Sequence, residues 1–274
     1  MLPHKEPVRC RQAGREPSEG AGCVRIVVCV RHVYQLCGEV EFREDGRELD
    51  VACLEGAANE WDIFATEEAL RLRESSRSGE VVVVTCGGRE AEAVLRRFLA
   101  MGADRAIRLE GGEGDPLSVA WALADVVRAE SPDLVFCGAQ SSDSMHAATG
   151  VMLAELVNLP RVAIVRRVEY DYEAGRAVVD RELEGGLVER VEVDTPAVLT
   201  IQTGINRPRY ANLRAIKQAE RTPIDVRSAA RPAAPAYRVR CMFHPSRGEG
   251  AEILGGDARE VARRIAEIVK ERIG

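Results

Sequence analysis

Gly138-Ala139-Gln140-Ser141-Ser142-Asp143-Ser144 is the stretch best suited to chemistry in this 274-residue chain. Small side chains let backbone amides approach an anion closely. Ser142, Asp143 and Ser144 are helix-capping types. The apolar segment that follows, 145–159, predicts a helix, whose N-terminus carries about half a positive charge. The combination suits a phosphate, and it equally fits an ordinary strand-to-helix turn with a good cap. Within the loop Asp143 and His146 are the candidate catalytic groups, although capping explains Asp143 and surface exposure explains His146.

Three other segments stand where such a ligand would reach. Cys29-Val30-Arg31-His32 follows the apolar run VRIVVCV (24–30), and Thr85-Cys86-Gly87-Gly88 ends VVVVTC (81–86). Asn59-Glu60-Trp61-Asp62 precedes a helical pattern at 66–75. Asn59 reads as a helix N-cap or, alternatively, as part of a polar clamp with an aromatic surface for adenine or ribose. The first strand is not followed by G-x-G-x-x-G, and neither a P-loop nor a G-x-S-x-G elbow occurs. The histidines lie far apart and the eight cysteines form no C-x-x-C pair, so no metal site is expected. Cys29, Cys86 and Cys137 sit in strand-like runs, as buried thiols in a reducing cytoplasm would.

The elements around these segments alternate. Apolar runs at 24–30, 81–86 and 133–138 read as buried strands, separated by helical patterns at 66–75, 89–102 and 116–130, with 145–159 after them. That order predicts an α/β fold with an open, mostly parallel sheet flanked by helices. After Pro160, alternation at 162–171, 176–183 and 188–194, punctuated by Gly175 and Gly185-Gly186, predicts an antiparallel extension. Residues 1–22 lack periodicity and predict a disordered extension without a signal peptide's apolar stretch. The main domain is expected over 23–226. Residues 227–274 read as an Ala/Pro-rich arm and an amphipathic helix whose apolar stripe runs through Val261, Ile265, Ile268 and Val269. A net charge of −6 argues against nucleic acid, and no apolar run is long enough for direct membrane insertion.

The stretch 178–219 carries a family likeness. Arg181, Glu184-Gly185-Gly186, Glu189, Val191, Pro196 and Val198-Leu199-Thr200 are followed by GIN-x-PRY at 204–210. Together with AMGADRAI (100–107) and 133–150, they make the chain resemble the β subunit of electron-transfer flavoproteins over roughly 24–273. The resemblance implies an adenine nucleotide alpha hydrolase-like fold. It also implies a heterodimer with an α subunit that holds the redox FAD, and a β chain that is an electron-carrier subunit rather than an enzyme. The nucleotide in the β chain would be AMP or, in the electron-bifurcating branch, a second FAD. Its implied positions are Cys29, Asn59, Glu60, Trp61, Asp62, Cys86, Gly138, Ala139, Gln140, Ser141, Ser142, Asp143, Ser144, Met145, His146, Ala147, Ala148 and Thr149. Ile205, Asn206, Pro208, Arg209 and Tyr210 would dock flavin dehydrogenases, with Ile205 as apolar anchor, and a quinone reductase or other acceptor would take the electrons. The chain departs from the family pattern at Glu60, at Ala139 and in the reduced acidic cluster around Asp143. Two readings of other classes stand beside it: a stand-alone adenine-nucleotide regulatory module, expected to be shorter and to lack 178–219, and an enzyme acting on an adenylated substrate.

Overall fold

The computed structural model describes residues 8–10, 23–76, 78–112, 114–229, 236–246 and 250–273. Cys23–Cys29 (β2), Ser78–Cys86 (β5), Leu134–Gly138 (β7) and Ala197–Ile201 (β11) are apolar at most positions and buried on both faces. They pair in parallel in the order β11-β7-β2-β5. Arg105–Glu110 (β6) and Asp225–Ser228 (β12) extend one side in parallel. On the other side Arg161–Asp171 (β8) runs parallel to β11, and Arg176–Glu182 (β9) and Val188–Asp194 (β10) add the expected antiparallel extension. The β9–β10 connection turns through Gly185 and Gly186 at φ 73° and 74°, a backbone that glycine adopts without steric cost. The α/β class and mostly parallel sheet read from the sequence are what the chain adopts.

Alternation along the strands divides the core into two layers. Val24, Ile26 and Val28 pack beneath Glu60–Ser75 (α1) and Glu92–Met101 (α2). Val27 and Cys29 face Pro116–Glu130 (α3) and Thr149–Leu156 (α4). Asp115 caps α3 by accepting the Ser118 amide at 2.9 Å, with Pro116 at the first helical position, as its sequence predicts. Leu213–Arg221 (α5) lies beside α2, where Arg96 Nη1 donates to the Ala219 carbonyl at 2.5 Å.

Three features differ from the sequence reading. Strand β6 was not predicted because Arg105 and Arg108 interrupt its apolar pattern. Arg108 is buried there, donating to the Gly87 carbonyl at 3.1 Å and to Glu110 at 2.8 Å. Within the extension expected to be disordered, Val8–Cys10 (β1) lies parallel to β10 at the sheet edge; the other residues of 1–22 lie outside the described residues. His32–Leu36 (β3) and Leu54–Ala58 (β4) form an antiparallel hairpin that stands off the main sheet. At the C-terminus Ala258–Ile273 (α6) is a helix with no buried residue, and Ile265, Val269 and Ile273 are exposed.

Candidate functional site

From β2 the chain steps through β5 to β6 on one side, and α3 then carries it back to β7 on the other side of β2. The strand order therefore reverses between β2 and β7. At such a point the connections leave the carboxyl ends in opposite directions and open a crevice. A cavity of about 300 Å³ lies there, floored by Cys29, Cys137 and Gly138. Cys29 and Cys137 are register partners in the two strands. The bond to Cys137 and burial together push the Cys29 thiol well above its usual range, which makes it a poor nucleophile.

The first turn of α1 shapes this floor. Asp62 is 3% exposed. Its Oδ2 accepts the Arg31 amide at 2.7 Å and its Oδ1 accepts the Gly138 amide at 3.0 Å. One carboxylate thus ties together the ends of the two diverging strands. Asn59 occupies the N-cap position of α1 but makes no capping bond. Instead its Nδ2 donates to the Gln140 carbonyl at 2.9 Å, and its Oδ1 accepts the Ser142 amide at 3.2 Å. Asn59 therefore does not cap α1; its side chain fastens the loop after β7.

The loop after β7 also differs from its expected form. The helix begins at Thr149 rather than near 145 and ends at Leu156, and none of Ser142, Asp143 or Ser144 caps it. Asp143 turns the other way and pairs with the Arg31 guanidinium at 3.0 Å, while accepting from Ser141 Oγ at 2.7 Å. Met145 and Ala147 sit at φ 53° and 50°, so the loop coils over the cavity before the helix starts. With Ala148 at the N-cap and no side chain capping α4, the first-turn amides have no partner within the helix. Ala147, Ala148, Thr149 and Gly150, at the start of this helix, line the cavity. Gly150 is needed for this placement: a β carbon there would come 2.7 Å from Thr200 Cγ2 and 3.1 Å from Cys137 Cβ.

Of the expected nucleotide positions, Cys29, Asn59, Asp62, Cys86, Gly138, Ala139, Gln140, Ser141, Ser144, His146, Ala147, Ala148 and Thr149 line the cavity. Glu60, Trp61, Ser142, Asp143 and Met145 are not among the lining residues. Trp61 offers no aromatic wall, because its indole donates to Gln202 Oε1 at 2.8 Å. The apolar wall comes from Pro116, Val119 and Leu123 of α3, together with Ala91, and Tyr34 and Glu90 contribute further. Sequence reasoning missed these. Val119 and Leu123 follow the i, i+4 spacing of a core stripe, and nothing local separates a core position from a cavity wall.

Burial raises the Asp62 pKa to about 7, against the opposing pull of the Arg31 and Gly138 amides and the Asn59 side chain. An aspartate in the unfolded chain loses its proton near pH 4. Between about pH 4 and about 7 the unfolded state therefore holds fewer protons than the native one, so this group's contribution to stability falls as pH rises. Asp62→Asn removes that slope. In urea unfolding, the stability of the variant relative to wild type is expected to rise by about 2–3 kcal/mol from about pH 5 to about pH 8. A difference that stays constant across this interval would contradict the titration.

The 204–210 segment lies against α1. Ile205 is half-buried and packs on the core instead of standing free. Asn206 Nδ2 donates to the Phe64 carbonyl at 3.0 Å and to Glu68 at 2.9 Å. Arg209 forks onto Glu67 and Glu74. Pro208 is half-buried, whereas Tyr210 is 100% exposed and Leu213, on the adjoining α5, is 78% exposed.

Among the described residues no cluster of side chains is arranged to hold a metal ion, and no helix is long and apolar enough to cross a membrane. A family model, Electron transfer flavoprotein domain, matches residues 51–232. An electron transfer flavoprotein subunit beta from Methylophilus methylotrophus is 42% identical over 90% of this chain and 98% of its own length. One from Syntrophomonas wolfei is 31% identical over 91% and 97%. A mitochondrial subunit beta from Arabidopsis thaliana is 36% identical over 73% and 80%. With the cavity at the strand reversal and a match spanning nearly its whole length, the chain belongs to the electron transfer flavoprotein family, among its β subunits.

Proposed function

We propose that this chain holds an adenosine monophosphate at the strand reversal and serves as the electron-carrying β subunit of a heterodimer whose α subunit binds the redox FAD. The observation that carries the nucleotide assignment is the uncapped start of α4 facing the cavity between β2 and β7. Unpartnered amides and the helix dipole suit a phosphate, with His146 and Thr149 beside them. Pro116, Val119 and Leu123 offer an apolar wall for a base. A cavity of about 300 Å³ lies at the small end of ligand pockets, which favours a mononucleotide over the far bulkier FAD. Cys29 is buried and held protonated, and Asp62 spends both oxygens on backbone amides. This chain's part is to shape and bind rather than to make or break bonds.

The exposed stripe of α6 is the contact we assign to the α subunit, with 227–257 as the arm that reaches it. Tyr210 and Leu213 form the exposed apolar face that we assign to dehydrogenase docking, with Ile205, Asn206, Pro208 and Arg209 holding it on α1. Electrons would pass on to a quinone reductase or a similar acceptor, and Cys29, Cys86 and Cys137, none of them in a disulfide, suit a reducing cytoplasm. Co-expression with an α partner is expected to give a yellow heterodimer that releases one AMP and one FAD on denaturation, read by mass spectrometry. Two FAD and no AMP would establish the bifurcating type instead. A colourless monomer indifferent to any α subunit would overturn the assignment.

A further inference from the structure

We propose that residues 236–246 form a strap across the mouth of the cavity and set how fast the bound nucleotide leaves; the inference rests on the nucleotide reading given above. The segment makes contacts at three places around the cavity, and one of its partners, His146, is a lining residue. At its start the Ala236 amide donates to the Asp115 carboxylate, which sits between the lining residues Gly114 and Pro116. The Tyr237 ring then lies 5.8 Å from that of His146, with its hydroxyl 3.4 Å from Nε2, and His146 lines the cavity. Farther on, the Met242 amide donates to the Gly46 carbonyl at 2.7 Å, and His244 lies against Phe42 with ring centroids 4.8 Å apart.

Gly46 and Phe42 belong to the loop joining β3 to β4, and β3 supplies His32 and Tyr34 to the cavity. The strap therefore runs from the α3 wall, past the loop after β7, to the hairpin. No residue in 236–246 is fully buried. Among the described residues three hydrogen bonds and two ring contacts hold it, so it can lift by local opening while the sheet stays folded. A ligand beneath must wait for that opening, and weaker anchors shorten the wait.

The test uses the purified heterodimer loaded with labelled AMP, diluted into excess unlabelled AMP, with retained label followed over time. Tyr237→Ala and His244→Ala remove one ring contact each at opposite ends of the strap. Each is expected to speed release by up to about tenfold, since an aromatic pair contributes at most about that factor. FAD content and the urea midpoint should stay at wild-type values. Release as slow as wild type in both variants overturns the strap and leaves the nucleotide site standing. Faster release that tracks a lowered urea midpoint overturns it too, as general loosening. A wild-type complex that binds no labelled AMP overturns the nucleotide reading and the strap together.

Discussion

Gly138→Ala should empty the proposed nucleotide site and cost the chain about 2–3 kcal/mol. A β carbon at this position would stand 2.7 Å from Trp61 Cβ and 3.1 Å from Asn59 Nδ2, and would press on Asp62 Oδ1. All three neighbours belong to the start of α1. They cannot retreat, because Asp62 is bonded to the Arg31 amide and Trp61 to Gln202. The loop must move instead, which breaks the Asp62–Gly138 bond and pulls Gln140 and Ser142 off Asn59. Those bonds are what hold the loop over the cavity. Gly38→Ala is the matched control, since nothing lies within 4 Å of a β carbon there; it should stay within about 0.5 kcal/mol of wild type. Urea midpoints and nucleotide content of the co-purified complex measure both effects. If the two variants behave alike, the close approach at Gly138 has no role.

Arg209→Ala should cost about 2–3 kcal/mol and loosen the 204–210 segment. The Arg209 guanidinium donates to Glu67 at 2.8 and 3.0 Å and to Glu74 at 2.5 and 3.0 Å. These bonds, Glu74's first, hold the guanidinium firmly protonated, and Arg209 draws the Glu74 carboxyl below its usual range. The Glu67 side chain is only 6% exposed, and removing its counter-charge leaves a nearly buried carboxylate unpaired, which is the expensive outcome for an ion pair. Its neighbour Glu68 already has its pKa raised by burial. Arg209 itself is a third exposed, so solvent screening keeps the loss below that of a fully buried pair. Arg209→Lys should recover less than half, because an ammonium lacks the fork that spans two carboxylates. Thermal or urea unfolding of the three proteins decides the matter. A lysine variant as stable as wild type would show that charge alone suffices and that the fork is incidental.

The parallel sheet was readable because its central strands are apolar at nearly every position and buried on both faces, and little else fits short runs such as VVVVTC. The start of α3 was readable for a local reason, an aspartate and a proline in the right order. Strand β6 was not, because two arginines interrupt its apolar pattern, and beyond nearby Glu110 the groups that admit Arg108 to the interior, Glu92 and the Gly87 carbonyl, lie outside the strand. The extent of α4 was misread for a related reason. Ser142 and Asp143 have the side chains of caps, but Asn59 and Arg31 claim that loop, and those partners are invisible along the sequence. Around the cavity, Cys29, Asn59, Asp62 and most of the 138–149 loop were picked out by composition and family pattern, whereas Glu60, Trp61, Ser142, Asp143 and Met145 are not among its lining residues. The α3 wall was not, since an apolar side chain facing a cavity looks like one facing the core.

Asp62 binds an amide 76 residues away, and Asn59 reaches Gln140 over 81. The pocket is therefore closed by pairings that span a large part of the polypeptide. Such pairings are slow to form, because chain entropy must be surrendered before they are rewarded. A nascent chain that has laid down β2 and α1 has no pocket until β7 arrives. A nucleotide bound there as proposed would recognise a finished molecule but could not template an unfinished one, and by mass action it would draw the population toward completion. Nucleotide occupancy should accordingly report how much of a freshly synthesised preparation has matured.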